Sequence, residues 1–205
     1  MKMRVAAAAL GILLSACQTA TIAPEPSNAV AGSLWESRLE SLSAISHFEL
    51  RGRIASNSLG GGSADLSWTQ SGDHFQVSLS GTLGIGAVRI EGTPDDLEIV
   101  TKDGRHQADA ARQALTEQLG APLPVDDLPF WVKGIPRPGI PSSWRLDPSG
   151  QLSHLEQEGW QLDYLEYRDN SPQSPSLPRK LWLSRGDNRW KLVVDEWRLP
   201  QSTQN

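Results

Sequence analysis

Apolar and polar residues alternate along much of the chain, and the alternation breaks into short runs separated by turn-forming residues. Phe48, Leu50, Gly52 and Ile54 fall on one face of an extended segment, with Glu49, Arg51 and Arg53 on the other. Ala64, Leu66 and Trp68 repeat the pattern, as do Phe75, Val77 and Leu79, then Val88 and Ile90, then Leu97, Ile99 and Thr101. A period of two puts one face of each run in a core and the other in water, which predicts half-buried strands. Runs of the same kind at 144–146, 152–157, 160–167, 180–184 and 189–197 predict five more. Gly, Asn and Asp turns between such short strands predict an antiparallel meander.

Three stretches follow helical spacing instead. Trp35, Leu39, Leu42 and Ile45 recur every three or four residues behind a possible cap at Ser33. Ala111, Leu115 and Leu119 share a stripe behind Asp109, with Gly120 and Pro122 as the stop, and a shorter helix is expected over 127–133, ending at Gly134-Ile135-Pro136. The strands are thus interrupted once, by a helical pair placed to cover the concave face of the sheet. The Pro- and Ser-rich stretch 170–178 reads as a surface loop. Residues 33–199, about 165 in all, suit one domain with a sizeable core, followed by a tail at 200–205.

The N-terminus has a different character. Lys2 and Arg4 precede an apolar run at 5–14, which leads directly into Leu14-Ser15-Ala16-Cys17. At about ten residues the run is a secretion signal rather than a membrane span, which takes ~20. Small residues at Ser15 and Ala16 let a peptidase reach the backbone, and the Cys17 thiol can carry a diacylglyceryl group. The tetrapeptide resembles the lipobox of bacterial lipoproteins, so residues 1–16 are expected to be removed and Cys17 to be the lipid anchor. Cys17 is the only cysteine, which rules out an intramolecular disulfide. Residues 18–32, with Pro24, Pro26, Ser27 and Asn28 and no apolar period, are expected to form a tether. Its reach is roughly 50 Å extended and about 20 Å as a coil.

Loss of Lys2 and Arg4 leaves 17 basic against 24 acidic side chains, a formal charge of −7. That balance argues against nucleic acid and anionic lipid as partners and leaves membrane attachment to acyl chains. Nor does the residue inventory suggest catalysis or a cofactor. His47, His74, His106 and His154 lack metal-ligand spacing, and no second cysteine is present to help. Gly60-Gly61-Gly62-Ser63 lacks the lysine of a phosphate loop, no nucleophile elbow is found, and Asp95-Asp96 and Asp126-Asp127 read as turn and cap residues. Without a nucleotide site, anything done to a ligand must run downhill on affinity differences.

Two apolar features stand out. Eight tryptophans accompany two tyrosines and three phenylalanines; they either pack the core or line a concave surface suited to a lipid chain. The hairpin tip Ser80-Gly81-Thr82-Leu83-Gly84-Ile85-Gly86 carries Leu83 and Ile85 where polar residues are usual. These two either fold back on the sheet or dip into a bilayer, the latter worth roughly 1.5–3 kcal/mol for a buried leucine.

Four segments together resemble the LolB family: the lipobox at Cys17; Arg51-Gly52 in the first strand; Leu83-Gly84 at the hairpin tip; and Pro122-Leu123-Pro124 with Leu128, Trp131-Val132 and Gly134-Ile135-Pro136. The resemblance implies an unclosed antiparallel β-barrel, mainly β with short lid helices over an apolar cavity. It also implies a monomer in the outer membrane, facing the periplasm, which accepts client lipoproteins from the carrier LolA and inserts them without an energy source. Its anchor would be diacylglycerol plus an N-acyl chain on Cys17, and Gln18 in place of Asp fits outer-membrane sorting. Leu83, with Ile85, would serve the release step; Trp68, Leu79, Val88 and Trp131 are the candidate cavity residues. Thr82 replaces a proline common in the family, and Pro129-Phe130 inside the short helix is a second departure. Shelter is what an acyl client needs, since a ~16-carbon chain gains roughly 13 kcal/mol on leaving water. Two other readings are a carrier of free lipid or glycolipid with the same fold, and a scaffold subunit of an envelope complex.

Overall fold

The computed structural model describes residues 26–57, 62–81, 87–119, 124–169 and 175–200. Helix α1 (Pro26–Ser43) leads into β1 (His47–Ser56), β2 (Ser63–Ser71), β3 (His74–Gly81), β4 (Val88–Gly92), β5 (Leu97–Thr101) and β6 (Gly104–Gln107). Helices α2 (Ala108–Leu119) and α3 (Leu128–Trp131) follow, and then β7 (Ser142–Leu146), β8 (Leu152–Gln157), β9 (Trp160–Tyr167), β10 (Pro178–Arg185) and β11 (Asn188–Arg198). All eleven strands form one sheet in the order β6-β5-β4-β3-β2-β1-β11-β10-β9-β8-β7. Two antiparallel meanders are therefore joined where the last strand pairs with the first. The outermost strands, β6 and β7, each have one neighbour, so the sheet is an unclosed half-barrel, as the resemblance implied.

The alternation read from the sequence sets the faces. In β1, Phe48, Leu50 and Gly52 are buried while Glu49, Arg51 and Arg53 are exposed, and β2 alternates without a break from Ala64 to Gln70. One register irregularity matters for shape. Arg51 faces Glu196 and Gly52 faces Val194, leaving Asp195 as the extra residue of a β-bulge. A Cβ at Gly52 would lie 2.1 Å from the Val193 carbonyl oxygen, so the close approach of β1 and β11 admits only glycine. This accounts physically for one of the four family-like segments.

Three differences from the expected elements have plain causes. Helix α1 begins at Pro26, inside the expected tether, because a proline is tolerated in the first helical turn. Its later turns are held by buried Trp35 and Leu42 and by Arg38, whose guanidinium sits 5.1 Å from the Tyr167 ring centroid. Asp109 lies within the first turn of α2 rather than ahead of it. Strand β6 went unpredicted: Gly-Arg-His-Gln has no apolar alternation and no buried residue, and only pairing with β5 makes it a strand.

Candidate functional site

Between the inner face of the sheet and the segment around α3 is an apolar cavity. Ile54, Leu66, Trp68, Phe75, Val77, Leu79 and Ile90 of β1–β4 form one wall. Leu183 of β10, with Trp190 and Leu192 of β11, forms a second, and Val125, Leu128 and Val132 form the third. Among the described residues every lining side chain is aliphatic or aromatic. The cavity is narrow: about 60 Å³ is wide enough to seat the centre of a water-sized sphere, within some 710 Å³ of space counted out to its open side.

The polar atoms of the walls are turned away or left idle. The Trp68 indole N–H donates to Gln70 Oε1 at 2.9 Å, and Gln70 Nε2 donates to the Gly72 carbonyl at 2.8 Å, which frees the Trp68 ring to present hydrocarbon. The Trp190 indole N–H is buried with no acceptor among the described residues, a desolvation cost of ~1–3 kcal/mol. Trp190 stacks in a tilted series with Trp160 and then Trp131, with centroid separations of 5.1 and 6.0 Å.

The α3 segment is fastened on the side away from the cavity. Trp131 is fully buried, and its indole N–H donates to Gln157 Oε1 at 2.9 Å. Gln157 also accepts from the Arg137 N–H at 2.8 Å and donates to the carbonyls of Arg137 and Ile140 at 2.9 and 3.1 Å. From β9, the Tyr164 hydroxyl donates to the Trp131 carbonyl at 2.9 Å, and burial pushes its pKa well up. Asp127, just ahead of the helix, lies 3.4 Å from Arg137; burial raises its pKa despite that guanidinium. The segment ends in a Schellman turn. The Ile135 N–H reaches the Phe130 carbonyl and the Gly134 N–H the Trp131 carbonyl, with Gly134 at φ +79. A Cβ there would also crowd the Tyr167 hydroxyl at 3.0 Å and Pro178 at 3.1 Å. The Gly134-Ile135-Pro136 signal is thus a helix stop pressed against β9 and β10.

Of the four residues expected at a cavity, Trp68 and Leu79 border it. Val88 and Trp131 are buried but do not. Val88, opposite Leu79, sits two residues from the wall residue Ile90, at the start of β4, and the Trp131 ring is drawn to β8 and β9 by Gln157 and Trp160. The helical pair likewise divides its roles: α2 packs on β5 and β6, and only the α3 segment borders the cavity among the described residues. Phe75 and Val77 share the face of Leu79 at a period of two and were within reach of sequence reasoning. Val125, Val132 and the β10–β11 wall were not, since nothing local aims a loop or a distant strand at that face. Cys17, Leu83 and Ile85 lie outside the described residues. The strand ends that flank 82–86, at Gly81 and Val88, are at the end of the sheet opposite the α1–β1 link. Among the described residues no group of His, Cys, Asp or Glu could hold a metal, and no helix is long and apolar enough to cross a membrane.

The family described as "Outer membrane lipoprotein LolB" matches residues 46–197, from the start of β1 to the end of β11. An outer-membrane lipoprotein LolB of Pseudomonas putida (strain GB-1) is 36% identical over 165 residues, covering 80% of each chain. The LolB of Stutzerimonas stutzeri (strain A1501) is 33% identical over 195 residues, 92% of this chain and 91% of that one. Among solved structures, a LolA superfamily protein of Nitrosomonas europaea superposes with a TM-score of 0.52 at 11% identity, over 83% of this chain and 94% of the other, a likeness of fold alone. With an unclosed sheet, an apolar cavity under α3 and this degree of relatedness along nearly the whole domain, the chain belongs to the LolB family.

Proposed function

We propose that this protein is an outer-membrane lipoprotein that receives the acyl chains of other lipoproteins from the periplasmic carrier LolA and delivers them to the outer membrane. The observation that carries the reading is the cavity, whose three described walls offer hydrocarbon. A client bearing acyl chains cannot wait in water, given roughly 13 kcal/mol per ~16-carbon chain. It can pass between apolar shelters, each step driven by a difference in affinity. The cavity is narrow, and the unclosed sheet gives it a way to widen: β6 and β7 share no hydrogen bonds that would have to break. The protein itself is held at the membrane by the acyl groups on Cys17, and Leu83 and Ile85, in the stretch of sequence between β3 and β4, are the elements that enter the bilayer at release.

Transfer of a lipoprotein from loaded LolA to liposomes, followed by flotation, tests the reading. Leu192→Glu, which places a charge in the cavity wall, should abolish acceptance; normal acceptance by a folded Leu192→Glu protein would refute the cavity's role. Leu83→Glu should leave clients bound but not inserted, and normal insertion by that variant removes Leu83 from the release step.

A further inference from the structure

A second pocket, of about 190 Å³, opens on the other side of the α3 segment, beneath the link between α1 and β1. Phe48 and Phe130 give it aromatic walls, Asp73 and Asp126 lie on its border, and Lys133 faces it. Phe75 borders both this pocket and the apolar cavity, so its buried ring is the wall the two spaces share. The α3 segment divides between them, with Val125, Leu128 and Val132 on the cavity and Asp126, Phe130 and Lys133 on the pocket.

Lysine is almost never buried unless paired. Lys133 is only 5% exposed, and among the described residues its ammonium donates to a single oxygen, the Ile45 carbonyl, at 2.8 Å. The Phe130 ring centroid lies 5.5 Å away. An ammonium has three donors, so two remain for a ligand. Burial lowers the Lys133 pKa to about 8, with no carboxylate holding it up. A buried amine with spare donors, one aromatic ring away from an apolar cavity, suits a molecule with one polar oxygen and a long apolar tail.

We infer that Lys133 is the polar terminus of an acyl site: it binds the carbonyl or carboxylate oxygen at the head of a fatty acyl chain, and the chain passes Phe75 into the apolar cavity. The inference rests on that cavity holding an acyl chain, as proposed above. Two sources share this chemistry, the acylated terminus of a client lipoprotein and a free fatty acid.

The test uses the full mature chain with Cys17→Ser, which removes its own acyl groups, with and without Lys133→Met. Three probes compete with a fluorescent reporter: palmitate, a dipalmitoyl-glyceryl-cysteine peptide, and the cetyltrimethylammonium ion, which offers a similar tail under a cationic head. Lys133→Met should weaken the oxygen-headed probes by about tenfold, the effect of losing one hydrogen bond to a charged group, and leave the cationic probe unaffected or improved. An effect on palmitate alone makes a fatty acid the ligand; an effect on the peptide alone makes it the client. Palmitate affinity should fall as pH rises past about 8 in the unsubstituted protein and stay flat in the variant, with Asp73 and Asp126 present in both. Equal weakening of all three probes would reduce Lys133 to a clamp on Ile45 and overturn the inference, as would unchanged head-group preference in a variant whose melting shows it folded. Lys133→Gln, which keeps a donor for Ile45, guards against a variant that fails to fold. If no probe binds the unsubstituted protein, the acyl cavity itself is refuted and the inference falls with it.

Discussion

Gly52 and Lys133 show how single side chains constrain this molecule. A methyl group at residue 52 has no space beside the Val193 carbonyl oxygen, so Gly52→Ala should force the β1–β11 bulge open and cost about 1–3 kcal/mol or more, read as a lower denaturant midpoint. Lys133 imposes a pH dependence. Its folded pKa, about 8, is below the ordinary 10.5, so the unfolded chain binds more protons between those values. Stability should therefore rise with pH through that window, by about 2 kcal/mol from pH 8 to 10, relative to Lys133→Met, whose comparison cancels the contribution of the buried tyrosines. Chemical denaturation at several pH values checks it. Gly52 could be singled out in the sequence only as part of a family-like pair; the reason for it, the Val193 carbonyl 141 residues away in β11, is invisible to a one-dimensional pattern.

At the scale of elements, the strands were legible and the helices only partly so. Strands β5, β8 and β9 occur with the expected bounds, and β1–β4, β7 and β10–β11 differ at their ends, because a period of two is printed residue by residue wherever one face is buried. Where it is not, as in β6, pairing alone decides. The short α3 shows the converse. A four-residue helix has little stability of its own, and it is held by the Gln157 hydrogen bonds to Trp131 and to the loop at Arg137 and Ile140. Gln157→Ala should leave several buried groups unpaired and cost about 2–4 kcal/mol. Hydrogen exchange should show that loss concentrated in 128–140 rather than spread over the sheet; a uniform increase in exchange would contradict the local role given to Gln157.

The whole molecule is an open sheet around one hydrophobic interior, part of which is left thinly filled. Empty apolar space is destabilising, by about 24 cal/mol per Å³ in engineered cavities, so a ligand that fills it should stabilise the fold. An acyl-chain amphiphile at a hundred times its dissociation constant should add ~2.7 kcal/mol, a rise of roughly 5–10 °C in melting temperature for a domain of this size. Scanning calorimetry with and without the amphiphile measures it, and an unchanged melting temperature at saturation would speak against a ligand in this space.

The sequence by itself determined the anchor expectation, the two-faced strands, the helical interruption and the family, because each is written in local spacing: a lipobox after an apolar run, a period of two, prolines and glycines at fixed offsets. Only the tertiary structure decided which buried residues are wall and which are filling. Trp68 and Trp131 both look like cavity aromatics in the sequence, yet one borders open space and the other is pulled into the core by a glutamine 26 residues away. Burial depends on what a side chain meets across the sheet, and that is settled by contacts between segments far apart in the chain.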